Sequence, residues 1–282
     1  MEKNEDRIKK FLSALESVSE QTQREYAAKL RQMQSKIDFG GKIEPILEFL
    51  GTIENPNTRS NKAFAVIRMR RFLGLDVEAL EIMREDLKSE IRQHRKMQSK
   101  KNNDNLITYD ELLEKLNELS GRDYIMNYMY VHHGLRNQDI NVQYLNRHQK
   151  KTPSENTVTQ DPKAKKPKTE FHIVDYKTAG TYGPKKITIR DKQLFDNINS
   201  LDLKNKDYVF ALRDGTKPTL NYMNVLAKKN SINNYGEGRI AKILVKHLID
   251  TKQFDKIEEL SKQRGTAMST LYTTYNIMDN HF

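Results

Sequence analysis

Apolar residues recur at helical spacing through the first third of the chain. Ile8, Phe11, Leu12, Leu15 and Val18 fall on one helix face. Thr22 and Glu25 form a capping-box pattern that predicts a second helix carrying Tyr26, Leu30 and Met33. Gly40-Gly41 interrupts the period, which Ile43, Ile46, Leu47 and Leu50 resume. After the turn signal Asn55-Pro56-Asn57, Thr58 or Ser60 is placed to cap a helix whose Phe64, Ile67, Met69 and Phe72 should face a core. Another helix is predicted from about Val77 to Ile91. Four or five helices of this length make a small bundle.

Polar texture then divides the chain. Arg92–Asn105 (RQHRKMQSKKNNDN) holds one apolar residue among many cations and predicts a solvated helix end plus linker. A new start signal stands at Thr108, ahead of Tyr109, Leu112, Leu113, Leu116 and Leu119. The apolar run Tyr124–Val131 follows and ends at His132-His133-Gly134-Leu135-Arg136. Lys150–Glu170 is rich in Lys, Pro, Ser and Thr, and predicts a loop or disordered insertion. Phe171–Tyr176 and Lys186–Ile189 have strand character, and the Gly- and Pro-containing segment between them predicts a β-hairpin. Helices are expected from about Lys192 onward, with Tyr208-Val209-Phe210 as one more short strand. The expected class is α+β: mainly helical with a small hairpin or sheet.

Composition narrows the partners. The chain has 282 residues, with 49 Lys+Arg against 38 Asp+Glu, a formal net charge of +11. An excess of this kind favours a polyanion, either nucleic acid or an anionic surface. No apolar run approaches the roughly 18 residues that span a bilayer, and the N-terminal MEKNEDRIKK is charged where a secretory signal would be apolar. An intracellular protein (nucleus, cytoplasm or virion) is expected. The absence of cysteine excludes disulfides, thiolate metal centres and Cys nucleophiles. Gly236-Glu237-Gly238-Arg239-Ile240-Ala241 fits a dinucleotide fingerprint in letters, but no strand precedes it. His132-His133 lacks the carboxylates of a metal site, and one of the two reads as a buried, hydrogen-bonded histidine. Neither a metal nor a cofactor is expected.

The remaining chemistry-bearing residues form an ordered series. Gly134-Leu135-Arg136 has Asp139 three residues on, and Lys177 lies at the hairpin. Arg239 opens an apolar helix. Arg264-Gly265-Thr266 precedes Ser269-Thr270, Tyr272 and Tyr275. This order, behind a helical N-terminal region, resembles the tyrosine recombinase (phage-integrase) superfamily over nearly the whole chain. The resemblance implies a helical core-binding (SAM-like) DNA-binding domain at 1–91, a basic linker at 92–105, and a catalytic domain at 106–282 with a flexible insertion at about 150–170. Its second box has histidine where this chain has Gly236. Its third has His or Trp where Gly265-Thr266 stands.

Attack on a phosphodiester builds negative charge on the non-bridging oxygens, which forked guanidiniums meet better than ammonium groups. By the resemblance, Arg136 and Arg239 take that role, Asp139 orients Arg136, and Lys177 protonates the leaving 5′-oxygen. Arg264 and Thr266 support them. Tyr275 is the implied nucleophile and Tyr272, on the same helix face, the alternative. Arg92, Arg95, Lys96, Lys100 and Lys101 of the linker and Lys185 and Lys186 of the hairpin are expected to contact DNA. Lys185 and Lys186 are also the fallback for Lys177. The implied activity is site-specific recombination through a covalent 3′-phosphotyrosyl intermediate, with double-stranded DNA as partner and a homo-tetramer on paired sites. A viral or mobile-element origin fits. A type IB topoisomerase and a non-catalytic DNA-binding protein of the same fold are the alternatives.

Overall fold

A computed structural model describes residues 4–15, 18–103, 105–146, 153–161 and 167–272, and for 21, 95, 96 and 98–103 the backbone alone. The chain divides into two compact units, Met1–Asp104 and Asn105–Phe282.

The first unit consists of α1 (Asn4–Ser13), α2 (Glu20–Met33), α3 (Ile43–Gly51), α4 (Pro56–Phe72) and α5 (Glu78–Asn103). Ile8, Phe11, Leu30, Met33, Ile46, Leu50, Val66, Ile67 and Leu80 form its core. Helix starts differ from expectation by one cap each. Ser19, not Thr22, caps α2, its hydroxyl accepting from the Thr22 N–H. Asn55 caps α4 through the Thr58 N–H, with Pro56 in the first turn, where its missing N–H costs nothing. Phe64 and Phe72 lie on the surface rather than in the core. Helix α4 packs against α1, α2, α3 and α5, so small Ala63 and Ala65 take the close approaches, and the rings are left on the rim. Phe64 is covered there by the Arg84 guanidinium, 4.6 Å from its centroid. Residues 92–103, expected as linker, continue α5. Lys, Arg and Gln are good helix formers without an apolar face.

The second unit begins with α6 (Tyr109–Asn117), opened by a full capping box between Thr108 and Glu111. Helix α7 (Gly121–His133) is buried from Tyr124 to Val131 and forms the centre of the unit. Four strands follow: β1 (Gln143–Leu145), β2 (Thr157–Asp161), β3 (Lys168–Ile173) and, after the one-turn α8 (Ala179–Tyr182), β4 (Lys185–Ile189). They lie in sequence order, with β1 and β2 parallel and the other pairs antiparallel. The expected hairpin is β3–β4, with Phe171 opposite Ile187. Its Ile187 and Ile189 point inward, and Lys186 and Thr188 outward.

Strand β2 and the start of β3 fall where a disordered insertion was expected. Paired on both sides, β2 has its backbone satisfied, and its Thr157, Val158 and Thr159 are all buried. A strand can therefore form with few apolar side chains. Residues 147–152 and 162–166 lie outside the described residues. Tyr208 makes one bridge, to Gln143, instead of a strand. Helices α9 (Lys192–Asn199), α10 (Leu220–Asn230), α11 (Gly236–Asp250), α12 (Phe254–Arg264) and α13 (Met268–Thr270) complete the mainly helical α+β fold. Among the described residues, no helix is long and apolar enough to cross a membrane.

Candidate functional site

The site grows from the C-terminus of α7. Gly134 adopts the left-handed conformation (φ 56°), and its N–H bonds the Tyr130 carbonyl while the Leu135 N–H reaches back to the Met129 carbonyl, closing the helix with a left-handed cap. A Cβ at this glycine would also stand 2.5 Å from Leu260 Cδ1. Leu135 anchors the turn in the core, which delivers Arg136 to the surface half-buried. Its Nη2 donates to the Thr266 hydroxyl at 2.7 Å. Its backbone N–H donates to Asp139 Oδ2 at 3.2 Å. Its Nη1 is buried and has no partner among the described residues, and neither does Asp139 Oδ1. Asp139 is fully buried. Burial pushes its carboxyl up to about 6, against the pull of Lys185 and Arg136.

Helix α12 supplies the facing wall. Arg264, its last residue, is 1% exposed. Its Nη1 donates to the Gly134 carbonyl, and its Nη2 lies 3.7 Å from Glu237 Oε1. Glu237, in the first turn of α11, also accepts from the Asn137 N–H. Gly265 then turns the chain through φ 57°, and Thr178 of the hairpin loop donates its hydroxyl proton to the Gly265 carbonyl at 2.9 Å. From the first position of β4, Lys185 Nζ donates to the Gln263 carbonyl at 2.6 Å and sits 3.3 Å from the centroid of Tyr176. Burial lowers its ammonium to about 8. Asp139 opposes that shift, while Arg136 and Arg264 reinforce it.

Arg136, Asp139, Lys185, Arg264 and Thr266 thus form one hydrogen-bonded and electrostatically coupled group. Lys177 is exposed, with no hydrogen bond or ion pair among the described residues. Arg239 is half-buried in the first turn of α11, its guanidinium 5.7 Å from the centroid of Tyr235. Tyr235 in turn bonds the Asn105 carbonyl and the Ile107 N–H. Tyr272 is exposed just beyond α13, and Tyr275 lies outside the described residues. Arg92 is exposed on α5. The side chains of Arg95, Lys96, Lys100 and Lys101 lie outside the described residues. Lys186 ion-pairs with Glu170 at 2.9 Å. His133 is the hydrogen-bonded histidine of its pair, bonding Gln263 Oε1 at 3.2 Å, and His132 is exposed.

Sequence reasoning missed Glu237 and Asn156. Asn156, nearly fully buried, donates to the carbonyls of Gln138, Asp139 and Asp175 and accepts from the Val174 and Asp175 N–H groups. It fastens the Arg136 loop to the end of β3. Its place in a Thr/Pro/Ser/Asn-rich stretch carried no signal for this. The helix-opening position of Glu237 was visible, but its long-range partners were not.

No family model matches the chain, and no curated protein matches it. Among solved structures it is similar to the crystal structure of XerA recombinase, at a TM-score of 0.40 and 11% identity over 98% of this chain and 95% of that one.

Proposed function

We propose that this chain breaks and rejoins DNA strands as a tyrosine recombinase does. One observation carries the reading. Arg136 offers a buried guanidinium N–H without a partner among the described residues, in a group that also holds the cations of Lys185 and Arg264. Buried donors are nearly always satisfied, so an unused cationic donor calls for an anion from outside. A phosphodiester oxygen fits, and the +11 net charge favours a polyanionic carrier.

In the proposed reaction Tyr275 attacks the scissile phosphorus. A bond from its phenolic oxygen to phosphorus forms, the phenolic proton passing to solvent, as the bond to the 5′-oxygen breaks and the 5′-oxygen takes a proton from the general acid. Arg136, oriented by Thr266, meets the developing charge, joined by Arg239. Such preorganised donors are each worth about 3–4 kcal/mol in transition-state stabilisation. Lys185 is the proposed proton donor in place of Lys177, because its ammonium stands beside Arg136 and is already easier to deprotonate than a free lysine. A 5′-hydroxyl then attacks the phosphotyrosine and restores the phenol. The bond from Arg136 to the Thr266 hydroxyl supports the reading, while Gly265-Thr266, standing where the resemblance has His or Trp, favours the non-catalytic alternative.

The test is trapping on a pool of nicked duplexes of randomised sequence, with the adducted peptide mapped by mass spectrometry. Wild-type protein should give an adduct at Tyr275 that Tyr275→Phe and Arg136→Ala abolish. An adduct at Tyr272 would move the nucleophile. Salt-sensitive binding without any adduct would establish the non-catalytic alternative, which the glycine at 236 favours.

A further inference from the structure

The geometry points to the Glu237–Arg264 ion pair as the device that positions Arg136. The inference rests on the reading of Arg136 as the anion-binding group and names what aims it. The turn bearing Arg136 begins at Gly134 and ends at Asn137. Its first carbonyl accepts from Arg264 Nη1, and its last N–H donates to Glu237 Oε2. Those two side chains come from different helices, α12 and α11, and stand 3.7 Å apart. Both ends of the turn are therefore fastened to the two members of one pair. The Arg136 guanidinium is held separately by Thr266, two residues beyond Arg264.

The pair is placed to matter. The Arg264 side chain is 2% exposed and that of Glu237 26%, so water competes little for either bond. A buried ion pair is a poor source of net stability, because desolvation offsets its attraction. What this one supplies is direction. A forked guanidinium binds a phosphate oxygen only when its plane is correctly aimed, and displacement by about 1 Å can cost roughly a hundredfold in rate. Gly236, where the resemblance has histidine, and Gly265-Thr266, where it has His or Trp, adjoin Glu237 and Arg264 in sequence. The pair thus occupies the ground those side chains would have organised.

The experiment is a double-mutant cycle on the full chain. Glu237→Gln keeps an acceptor for the Asn137 N–H and removes the charge facing Arg264; Arg136→Lys removes the group being positioned. Inorganic phosphate is titrated against protein carrying ¹⁵N-arginine, and its affinity is read from the guanidinium resonances. Glu237→Gln should weaken phosphate about tenfold in the wild-type background and less than about twofold beside Arg136→Lys, because coupled neighbours lose additivity. An undiminished effect in the Arg136→Lys background, or no effect of Glu237→Gln in either, would overturn the positioning role. Should Glu237→Gln fail to fold, Arg264→Lys serves in the same cycle. Phosphate coupling without DNA adducts would retain the pair and sink the recombinase reading. Adducts without coupling would do the reverse, and a wild-type protein blind to phosphate would overturn both.

Discussion

Raising the pH from 7 to 9 should weaken DNA binding through one side chain, Lys185. Burial, reinforced by Arg136 and Arg264, lowers its ammonium from an ordinary value of 10.5 to about 8, with Asp139 opposing. The sign follows from linkage. The unfolded chain binds this proton more tightly than the folded one, so the charged lysine costs stability below about pH 8, and stability rises as the pH climbs from about 8 towards 10.5. A bound phosphate reverses the balance by stabilising the ammonium. If binding restores the ordinary value, the free protein has lost most of this proton at pH 9 while the complex still holds it. The affinity then falls about tenfold between pH 7 and 9, or roughly fivefold once solvent screening of the partly exposed amine is allowed for. Fluorescence anisotropy with a labelled duplex measures this at fixed ionic strength, a necessary condition because phosphate contacts are themselves salt-dependent. Lys185→Met should flatten the profile, and Lys177→Met should leave it intact. Equal wild-type affinity at the two pH values, or the same decline in Lys185→Met, would refute the placement of the charge.

Gly134→Ala should lower unfolding free energy by about 2–4 kcal/mol in urea titrations, from the left-handed backbone and the contact with Leu260. The added variant Leu260→Ala should relieve the clash and show a less-than-additive loss, and a cost under about 0.5 kcal/mol would contradict the packing. Asn156→Ala should cost about 3 kcal/mol, because it leaves five backbone groups around the Arg136 loop short of a partner. A change of Tm under about 2 °C would refute that role. Asp139, raised from 3.8 to about 6 by burial despite Lys185 and Arg136, binds its proton more tightly in the folded chain. Wild-type stability should therefore fall as the pH rises from about 4 to 6. Asp139→Asn should gain in Tm relative to wild type between pH 4.5 and 7, and a constant difference would count against the shift.

Much of the fold was legible because it rests on local pattern. The Thr108–Glu111 box, the apolar run ending at Gly134 and the β-branched flanks of the hairpin each carry their structure within a few residues. The misreadings have physical causes. Ser19 and Thr22 stand three apart and both can cap, and only the direction of one hydrogen bond separates them. Residues 92–103 hold a helix on intrinsic propensity, without the apolar stripe that marks helices elsewhere in the chain. Thr157-Val158-Thr159 is a buried strand whose polar side chains hide it from any hydropathy reading.

The site was legible only in its side-chain types, for a reason that its bonds make plain. Arg136 and Asp139 are three residues apart, so local spacing alone brings them together. Lys185 and Arg264 are placed by partners far away in sequence, and those partners are main-chain atoms: the carbonyl of Gln263 for Lys185, and that of Gly134 for Arg264. The N–H of Asn137 for Glu237 and the carbonyl of Gly265 for Thr178 belong to the same class. Every residue presents such atoms, so no pattern of letters marks the ones that will be used. Lys177 and Lys185 are the same residue type and stand at the two ends of the same hairpin loop. What separates them is the register that sets Lys185 opposite Ile173 and the one-turn α8 that takes up the loop between them. Whether Lys185 or Lys177 serves the reaction is therefore a question about where the end of α12 comes to lie, and exchanging the two lysines one at a time against a pH profile answers it directly.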